Sequence, residues 1–152
     1  SICNLRPESR GEVLIKSAGP QDLPKITPNY LATESDRQIA IDSIKVARKI
    51  AKANVIQDHI LDEFVPGSTY DSDEDLLEVA RNHSQSIYHP VGTCKMGHDN
   101  ESVVDDRLRV HGVDNLRVVD ASIMPELVSG NTNAPTMMIA EKAAEMILND
   151  NN

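Results

Sequence analysis

Aromatic residues, cysteines and long apolar runs are scarce in this sequence. Tryptophan is absent, phenylalanine occurs once, and aromatic residues make up 3% of the 152 residues. A large aromatic-lined pocket is therefore not expected from this chain alone. The two cysteines are too few for a disulfide-stapled scaffold. No apolar run approaches the ~18 residues needed to cross a bilayer, so we predict no transmembrane segment.

Basic residues are outnumbered, with 15 Lys and Arg against 24 Asp and Glu, which gives a formal charge of −9. Binding to nucleic acid needs clustered cations that contact phosphates, so this class of partner is not predicted. One basic cluster, formed by Lys45, Arg48, Lys49 and Lys52, falls on a predicted helix that also carries acidic residues. Such a cluster is typical of a solvated helix face.

Glycine patterns that cradle phosphates are also missing. None of the seven glycines is followed by another glycine two positions on, so the dinucleotide-binding fingerprint is absent. Gly92 and Gly97 have the spacing of a P-loop, but His98 occupies the position of the required lysine. No Gly-x-Ser-x-Gly nucleophile elbow occurs. The sequence therefore carries none of these nucleotide-binding or hydrolase motifs.

Short strand signals and longer amphipathic segments together predict an α+β fold. The predicted helices cover Thr33–Asn54, a short segment after Ser72, and residues 135–148. The predicted strands cover residues 10–17, 103–104, 108–110 and 116–119. Prolines between residues 20 and 28 predict an extended loop before the first helix. Thr33 or Ser35 can cap the first helix, and Ser72 can cap the second.

Residues 88–97 (YHPVGTCKMG) combine a histidine, a proline, two glycines and a cysteine within ten positions. Pro90 stiffens the segment that carries His89, and Gly92 allows another group to come close to the backbone. A fixed imidazole with a neighbour at close range is what a general base requires. His89 is therefore the first candidate catalytic residue.

Two other chemistries fit the same segment. His89, Cys94 and His98 are all zinc-ligand types, but their spacings of five and four contain no tight ligand pair, so no metal is predicted. Cys94 could act as a nucleophile with His89 as its base, although no third, orienting residue is evident. A small metal- or thiol-dependent enzyme is thus one alternative, and a stand-alone binding or oligomerisation module is another.

Residues 131–135 (NTNAP) precede or begin the last predicted helix. The free N–H groups and the dipole at a helix start favour negative charge. Asn131 or Asn133 would also be an ordinary N-cap. The two interpretations are compatible, since one asparagine can cap the helix while the other faces outward.

Three stretches in this order resemble the C-terminal part of the glucose–methanol–choline (GMC) family of flavin-dependent oxidoreductases. They are residues 88–97 (YHPVGTCKMG), 116–125 (LRVVDASIMP) and 131–133 (NTN). Residues 6–13 and 28–31 resemble the opening of the substrate region of that family. The resemblance covers nearly the whole chain and is strongest to choline-dehydrogenase-like members.

The resemblance implies that the enzyme binds FAD and oxidises a small alcohol, with choline one candidate, by hydride transfer to the flavin. His89 matches the catalytic histidine of the family, and Asn131 matches its partner position. Asp120 and Ala121 match residues along the FAD phosphate and ribityl chain. Thr132 and Asn133 match the backbone that approaches the flavin ring, so these four residues are predicted to bind the cofactor.

The resemblance also implies a division of the chain. Residues 1–102 would form an antiparallel-sheet substrate domain with flanking helices. Residues 103–152 would supply a last strand and helix to an FAD-binding domain whose N-terminal part is absent. The chain does not begin with Met, which fits a piece of a longer protein. We therefore expect the N-terminal half of the same enzyme as a partner, an inactive and self-associating isolated fragment, and a cytoplasmic or peripherally membrane-associated protein.

Overall fold

The computed structural model describes residues 2–150, which contain three α-helices and one small antiparallel sheet. The strands are β1 (Glu12–Leu14) and β2 (Lys25–Thr27), and the helices are α1 (Glu34–Ala51), α2 (Asp73–His83) and α3 (Asn133–Asp150). Two single-turn 3₁₀ helices cover Gln57–His59 and Ala121–Ile123. This arrangement confirms the predicted α+β class. Among residues 2–150, no helix has both the length and the apolarity to cross a membrane.

The chain divides into two compact units, Ser1–Ser86 and Ile87–Asn152. The division predicted from the sequence, 1–102 and 103–152, concerns the parts of a larger protein and stays a prediction. Ser1, Asn151 and Asn152, at the ends of the chain, lie outside the described residues.

In the first unit, β1 and β2 pair in antiparallel register, with Glu12 opposite Thr27 and Leu14 opposite Lys25. The strand predicted over residues 10–17 is therefore shorter than expected. Its partner β2 falls within the segment that we predicted to be an unpaired loop, so that prediction was wrong for Lys25–Thr27. Prolines directly before and after β2 cannot donate to a ladder, which confines the pairing to the three residues between them.

Gly11 lies where the two strands begin to pair, and a side chain does not fit there. A Cβ atom at this position would stand 2.2 Å from the carbonyl oxygen of Thr27. That oxygen belongs to the backbone of β2, so the conflict can be relieved only by displacing one strand. The glycine in the stretch 6–13 is thus explained by close backbone approach.

We expect Gly11→Ala to destabilise the β1–β2 pairing by roughly 1–3 kcal/mol, the usual cost of inserting an atom where none fits. Gly19→Ala is the matched control, because its Cβ would meet side-chain atoms and no backbone, with the Ser17 hydroxyl at 3.3 Å and the Asp22 carboxylate at 3.4 Å. Hydrogen exchange at the amides of β1 measures the difference. Equal protection of these amides in both variants would show that the strand start has room for a methyl group.

Both helices of the first unit begin at the predicted caps. The Thr33 hydroxyl accepts a hydrogen bond from the backbone N–H of Asp36 at 3.2 Å, and the Ser72 hydroxyl accepts one from Asp75 at 3.1 Å. These bonds satisfy N–H groups that a helix start otherwise leaves unpaired. The buried apolar side chains of this unit are Ile41 of α1 and Leu76, Val79 and Ala80 of α2.

A buried carboxylate ties the N-terminal segment to the start of α1. Asp36 is only 5% exposed. It accepts hydrogen bonds from Asn4 Nδ2 at 3.0 Å, from the backbone N–H of Glu8 at 3.0 Å and from the backbone N–H of Ser9 at 2.7 Å. The Ser9 hydroxyl donates a further bond to it. Sequence reasoning missed this anchoring role of Asp36.

The second unit has its own core, which joins the 3₁₀ turn to α3. Its buried members are Val104, Leu108, Ile123, Met124, Ile139 and Ala143. Helix α3 begins at Asn133, two residues earlier than predicted, and its last described residue is Asp150. The Asp150 carboxylate pairs with Arg107, Arg109 and Arg117. Hydrogen bonds from Arg109 and Arg107 lower the pKa of Asp150 to about 2.

The strands predicted over residues 103–104, 108–110 and 116–119 occur only as isolated bridges. Val104 pairs with Met96 and Val110, and Arg109 pairs with Arg117. The prediction of regular strands was wrong, because the chain turns between the pairing residues. Leu108 has φ of 65° and Asn115 has φ of 60°, which interrupts any continuous ladder.

Candidate functional site

His89 is half-buried and follows a residue with an uncommon backbone conformation. Tyr88 has φ of 61°, in the left-handed region, and its side chain is 81% exposed. A bulky residue in this region costs roughly 1–3 kcal/mol, and such residues concentrate at functional sites. The composition of the segment gave no sign of this conformation, so sequence reasoning missed it.

Gly92 has a backbone conformation that favours glycine, whereas the close approach predicted there is an ordinary van der Waals contact. Gly92 has φ of +90°, and a Cβ atom there would lie 3.4 Å from the carbonyl oxygen of Met124. Farther along, the N–H of Cys94 donates to the Ser122 carbonyl at 3.0 Å, and the N–H of Met96 donates to the Ile123 carbonyl at 2.8 Å. The segment 88–97 therefore runs along the segment 120–124, which brings two of the three sequence motifs together.

The third motif reaches His89 directly. Thr132 Oγ1 lies 3.1 Å from His89 Nδ1, within hydrogen-bonding distance, although the residues are 43 positions apart. The two residues therefore join the segments 88–97 and 131–133 at one point. We had predicted a role for the backbone of Thr132, so this side-chain contact was missed. No local sequence signal reports a pairing over such a separation.

The start of α3 is open on the side of the two asparagines. Asn131 and Asn133 are both exposed, and Asn133 is already the first residue of the helix. Thr132 occupies the N-cap position of the helix, since its carbonyl accepts the hydrogen bond from the Thr136 N–H at 3.0 Å. The expectation that Asn131 or Asn133 caps the helix was therefore wrong.

Unpaired donors line this helix start. Within residues 2–150, the backbone N–H groups of Asn133 and Ala134 have no hydrogen-bond partner. Together with the helix dipole, such N–H groups favour negative charge. The predicted anion-favouring character of this position is thus supported by the geometry.

Asp120 and Ala121 lie at the 3₁₀ turn that precedes Met124. Asp120 Oδ1 accepts a hydrogen bond from the Ser122 N–H at 2.7 Å and so caps the turn. Asp120 is exposed, whereas Ala121 packs against the core of the second unit. No hydrogen bond in the described part of the chain joins Asp120 to His89. The structure therefore places these two residues beside the segment 88–97 without bringing them to the imidazole.

The side chains proposed for metal or thiol chemistry do not converge. Over the described range, no three His, Cys, Asp or Glu side chains group in a way that could hold a metal ion. His89 pairs with Thr132 instead of Cys94, and Cys94 is half-buried. In the described residues, the side chains therefore form neither a complete metal site nor a nucleophilic pair of Cys94 and His89.

Two clefts are lined by residues of the first unit. One, of about 290 Å³, is lined by residues of α1 and Asp71, and the other, of about 430 Å³, lies beside α2. None of the predicted site residues lines either cleft. The candidate site is therefore defined by the converging side chains and backbone donors of the second unit.

Comparison with known proteins gives a consistent result. A family model described as GMC oxidoreductase matches residues 7–140. An alcohol dehydrogenase [acceptor] of Pseudomonas putida is 53% identical over 97% of this chain and 27% of its own length. An oxygen-dependent choline dehydrogenase of Escherichia coli is 48% identical over 96% of this chain and 26% of its own length.

A solved structure agrees with the sequence relatives. The FAD-dependent oxidoreductase from Chaetomium thermophilum superposes with a TM-score of 0.89 at 31% identity, over 97% of this chain and 26% of that protein. The chain thus spans about a quarter of the length of the curated relatives that it matches.

Proposed function

The chain belongs to the GMC oxidoreductase family, and from this premise we propose that it is part of an FAD-dependent enzyme that oxidises an alcohol to a carbonyl compound. The observation that carries the proposal is the convergence of the three motifs in the second unit. His89, Thr132 and the open start of α3 lie together, and the segment 120–124 supports them. A general base beside an anion-favouring helix start suits the removal of a proton and a hydride from one alcohol.

His89 and Asn131 have distinct proposed roles. Because Nδ1 of His89 faces Thr132, Nε2 is the ring nitrogen left for the substrate. Nε2 takes the hydroxyl proton of the alcohol, and the exposed Asn131 amide orients the same oxygen. The carboxamide has no ordinary capacity to accept that proton, so the base function falls to the imidazole.

The residues around α3 fit the cofactor that the family implies. The free N–H groups of Asn133 and Ala134 can hold a group that carries negative charge, as the flavin ring edge does during reduction. Asp120, Ala121, Thr132 and Asn133 would hold FAD in this arrangement. When bound, FAD supplies the acceptor for the hydride, and the protein supplies position and field.

The substrate is proposed to be a small alcohol. The two sequence relatives are named as an alcohol dehydrogenase and a choline dehydrogenase. Choline is one candidate, but a quaternary ammonium group is best held by an aromatic cage or a carboxylate. With 3% aromatic residues, this chain offers few side chains for such a cage. Any cage would thus draw on the rest of the enzyme.

The proposed partner is the N-terminal half of the same enzyme, which would supply the phosphate-cradling glycines that are missing here. Large apolar side chains of the first unit are exposed to solvent. Ile15 is 90% exposed, Phe64 is 97% exposed and Leu61 is fully exposed. Exposed apolar groups of this size commonly mark an interface. The isolated chain is accordingly proposed to be inactive and to self-associate. A cytoplasmic or peripherally membrane-associated location stays a prediction.

We expect the full-length enzyme to purify with flavin absorbance, and a primary alcohol to bleach that absorbance without oxygen. The isolated chain should bind FAD more weakly than micromolar, because it lacks the dinucleotide-binding glycines. Absorbance spectroscopy and a fluorescence titration measure the two results. A flavin-free full-length protein would contradict the proposal, as would a bound flavin that no alcohol reduces.

A further inference from the structure

The side chain of Thr132 is the one polar group in the described chain that hydrogen-bonds to the ring of His89. Thr132 is 9% exposed, so its hydroxyl is largely withdrawn from water. Its backbone carbonyl is already engaged, since the Thr136 hydroxyl donates to it at 2.7 Å and the Thr136 N–H at 3.0 Å. The Thr132 hydroxyl is left to face Nδ1 of His89 from a fixed backbone.

A hydroxyl can meet a neutral imidazole in two ways, with opposite consequences. If the hydroxyl donates a hydrogen bond to Nδ1, the ring hydrogen is on Nε2, which then has no lone pair to accept a proton. If the hydroxyl oxygen accepts from Nδ1–H, the lone pair of Nε2 is free. Only the second arrangement suits a base that works through Nε2.

We propose that Thr132 is a positioning residue that accepts a hydrogen bond from Nδ1–H and holds His89 in the tautomer whose Nε2 can take the alcohol proton. The inference rests on the proposed function, since it states which ring nitrogen of the proposed base His89 takes the proton. In the proton transfer, the O–H bond of the alcohol breaks and an N–H bond forms at Nε2. The ring then carries a proton on both nitrogens, and Thr132 still accepts from Nδ1.

The same contact also fixes the direction of the ring. Thr132 is β-branched, so its side chain has few rotamers, and the first turn of α3 anchors its backbone. The backbone on both sides of His89 is constrained, because Pro90 follows it and Tyr88, which has a positive φ, precedes it. A hydrogen bond between two such constrained residues favours one orientation of the imidazole. Hydrogen-bond partners that orient metal-bound histidines change activity by ~10–100-fold when removed, and we expect an effect of similar size here.

Three variants of the full-length enzyme test the inference by anaerobic flavin reduction. Thr132→Val removes the hydroxyl and keeps the shape, Thr132→Ala removes it with less bulk, and Thr132→Ser keeps it. We expect Val and Ala to lower the limiting reduction rate by ~10–100-fold, with little change in the alcohol concentration at half-saturation. The serine variant should stay within about 3-fold of wild type, because its hydroxyl can make the same bond.

The outcomes separate this inference from the proposed function. If Thr132→Val or Thr132→Ala holds flavin and is reduced at near wild-type rate while His89→Ala is slow, Thr132 is structural and only the inference fails. If His89→Ala is also fast, the proposed site itself is wrong. Loss of flavin from both hydroxyl-free variants would overturn the inference too, since the contact proposed between Thr132 and FAD runs through its backbone, and a hydroxyl that only positions His89 is not needed to hold FAD. A slow serine variant would likewise count against the hydroxyl as the acting group.

Discussion

Replacement of His89 by alanine in the full-length enzyme should slow flavin reduction by ~10²–10⁴-fold while flavin stays bound. The imidazole is held at Nδ1 by Thr132, and its loss removes the base without touching the backbone donors of α3. Rapid mixing with alcohol in the absence of oxygen isolates this step.

Asn131→Ala is the companion variant for this result. It should slow reduction less than His89→Ala, because the amide orients the alcohol oxygen and does not take its proton. The loss of reduction rate in the double variant should be smaller than the product of the two single losses, since both residues act on one oxygen. Near wild-type reduction in His89→Ala would show that His89 is structural.

Replacement of Asp36 by alanine should cost the first unit about 3 kcal/mol, because it leaves the part-buried N–H groups of Glu8 and Ser9 without an acceptor. That loss corresponds to roughly 100-fold faster hydrogen exchange at these two amides, which mass spectrometry of the full-length enzyme can follow. Asp42→Ala is the matched control on the same helix, since Asp42 is exposed and its side chain accepts a hydrogen bond from Gln38 of the same helix. It should leave the exchange of both amides unchanged.

The same site should respond to acid. Burial acts to raise the pKa of Asp36, but the hydrogen bonds from Ser9 and Glu8 outweigh it and hold the pKa below the ordinary 3.8. A carboxyl group with a lowered folded-state pKa contributes stability above its unfolded value and loses it as pH falls through the folded value. Protection of the two amides should therefore persist from neutral pH to about 3.8 and decline below it. Protection that declines already near neutral pH would contradict this account.

Features that depend on local sequence were the ones that could be predicted. The caps at Thr33 and Ser72 were predicted because a hydroxyl followed by acidic residues stabilises a helix start within one turn. The special role predicted for Gly92 is present as a positive φ of +90°, although its distance to the Met124 carbonyl is an ordinary van der Waals contact.

Features that depend on distant partners could not be predicted. The strand β2 is set by pairing with β1 and by the flanking prolines, not by its own three residues. The role of Asp36 depends on a segment 27 to 32 positions away. The contact between Thr132 and His89 also spans 43 positions and exists only because the core of the second unit brings α3 to the segment 88–97.

The central claim is that His89 and the start of α3 form one side of a flavin site for alcohol oxidation. The most direct measurement is a structure of the full-length enzyme with FAD and an unreactive alcohol analogue. The account predicts His89 Nε2 within roughly 2.6–3.2 Å of the analogue's oxygen, with Nδ1 still on Thr132 and the flavin ring at the start of α3. A bound flavin and analogue that contact neither His89 nor Asn131 would contradict it.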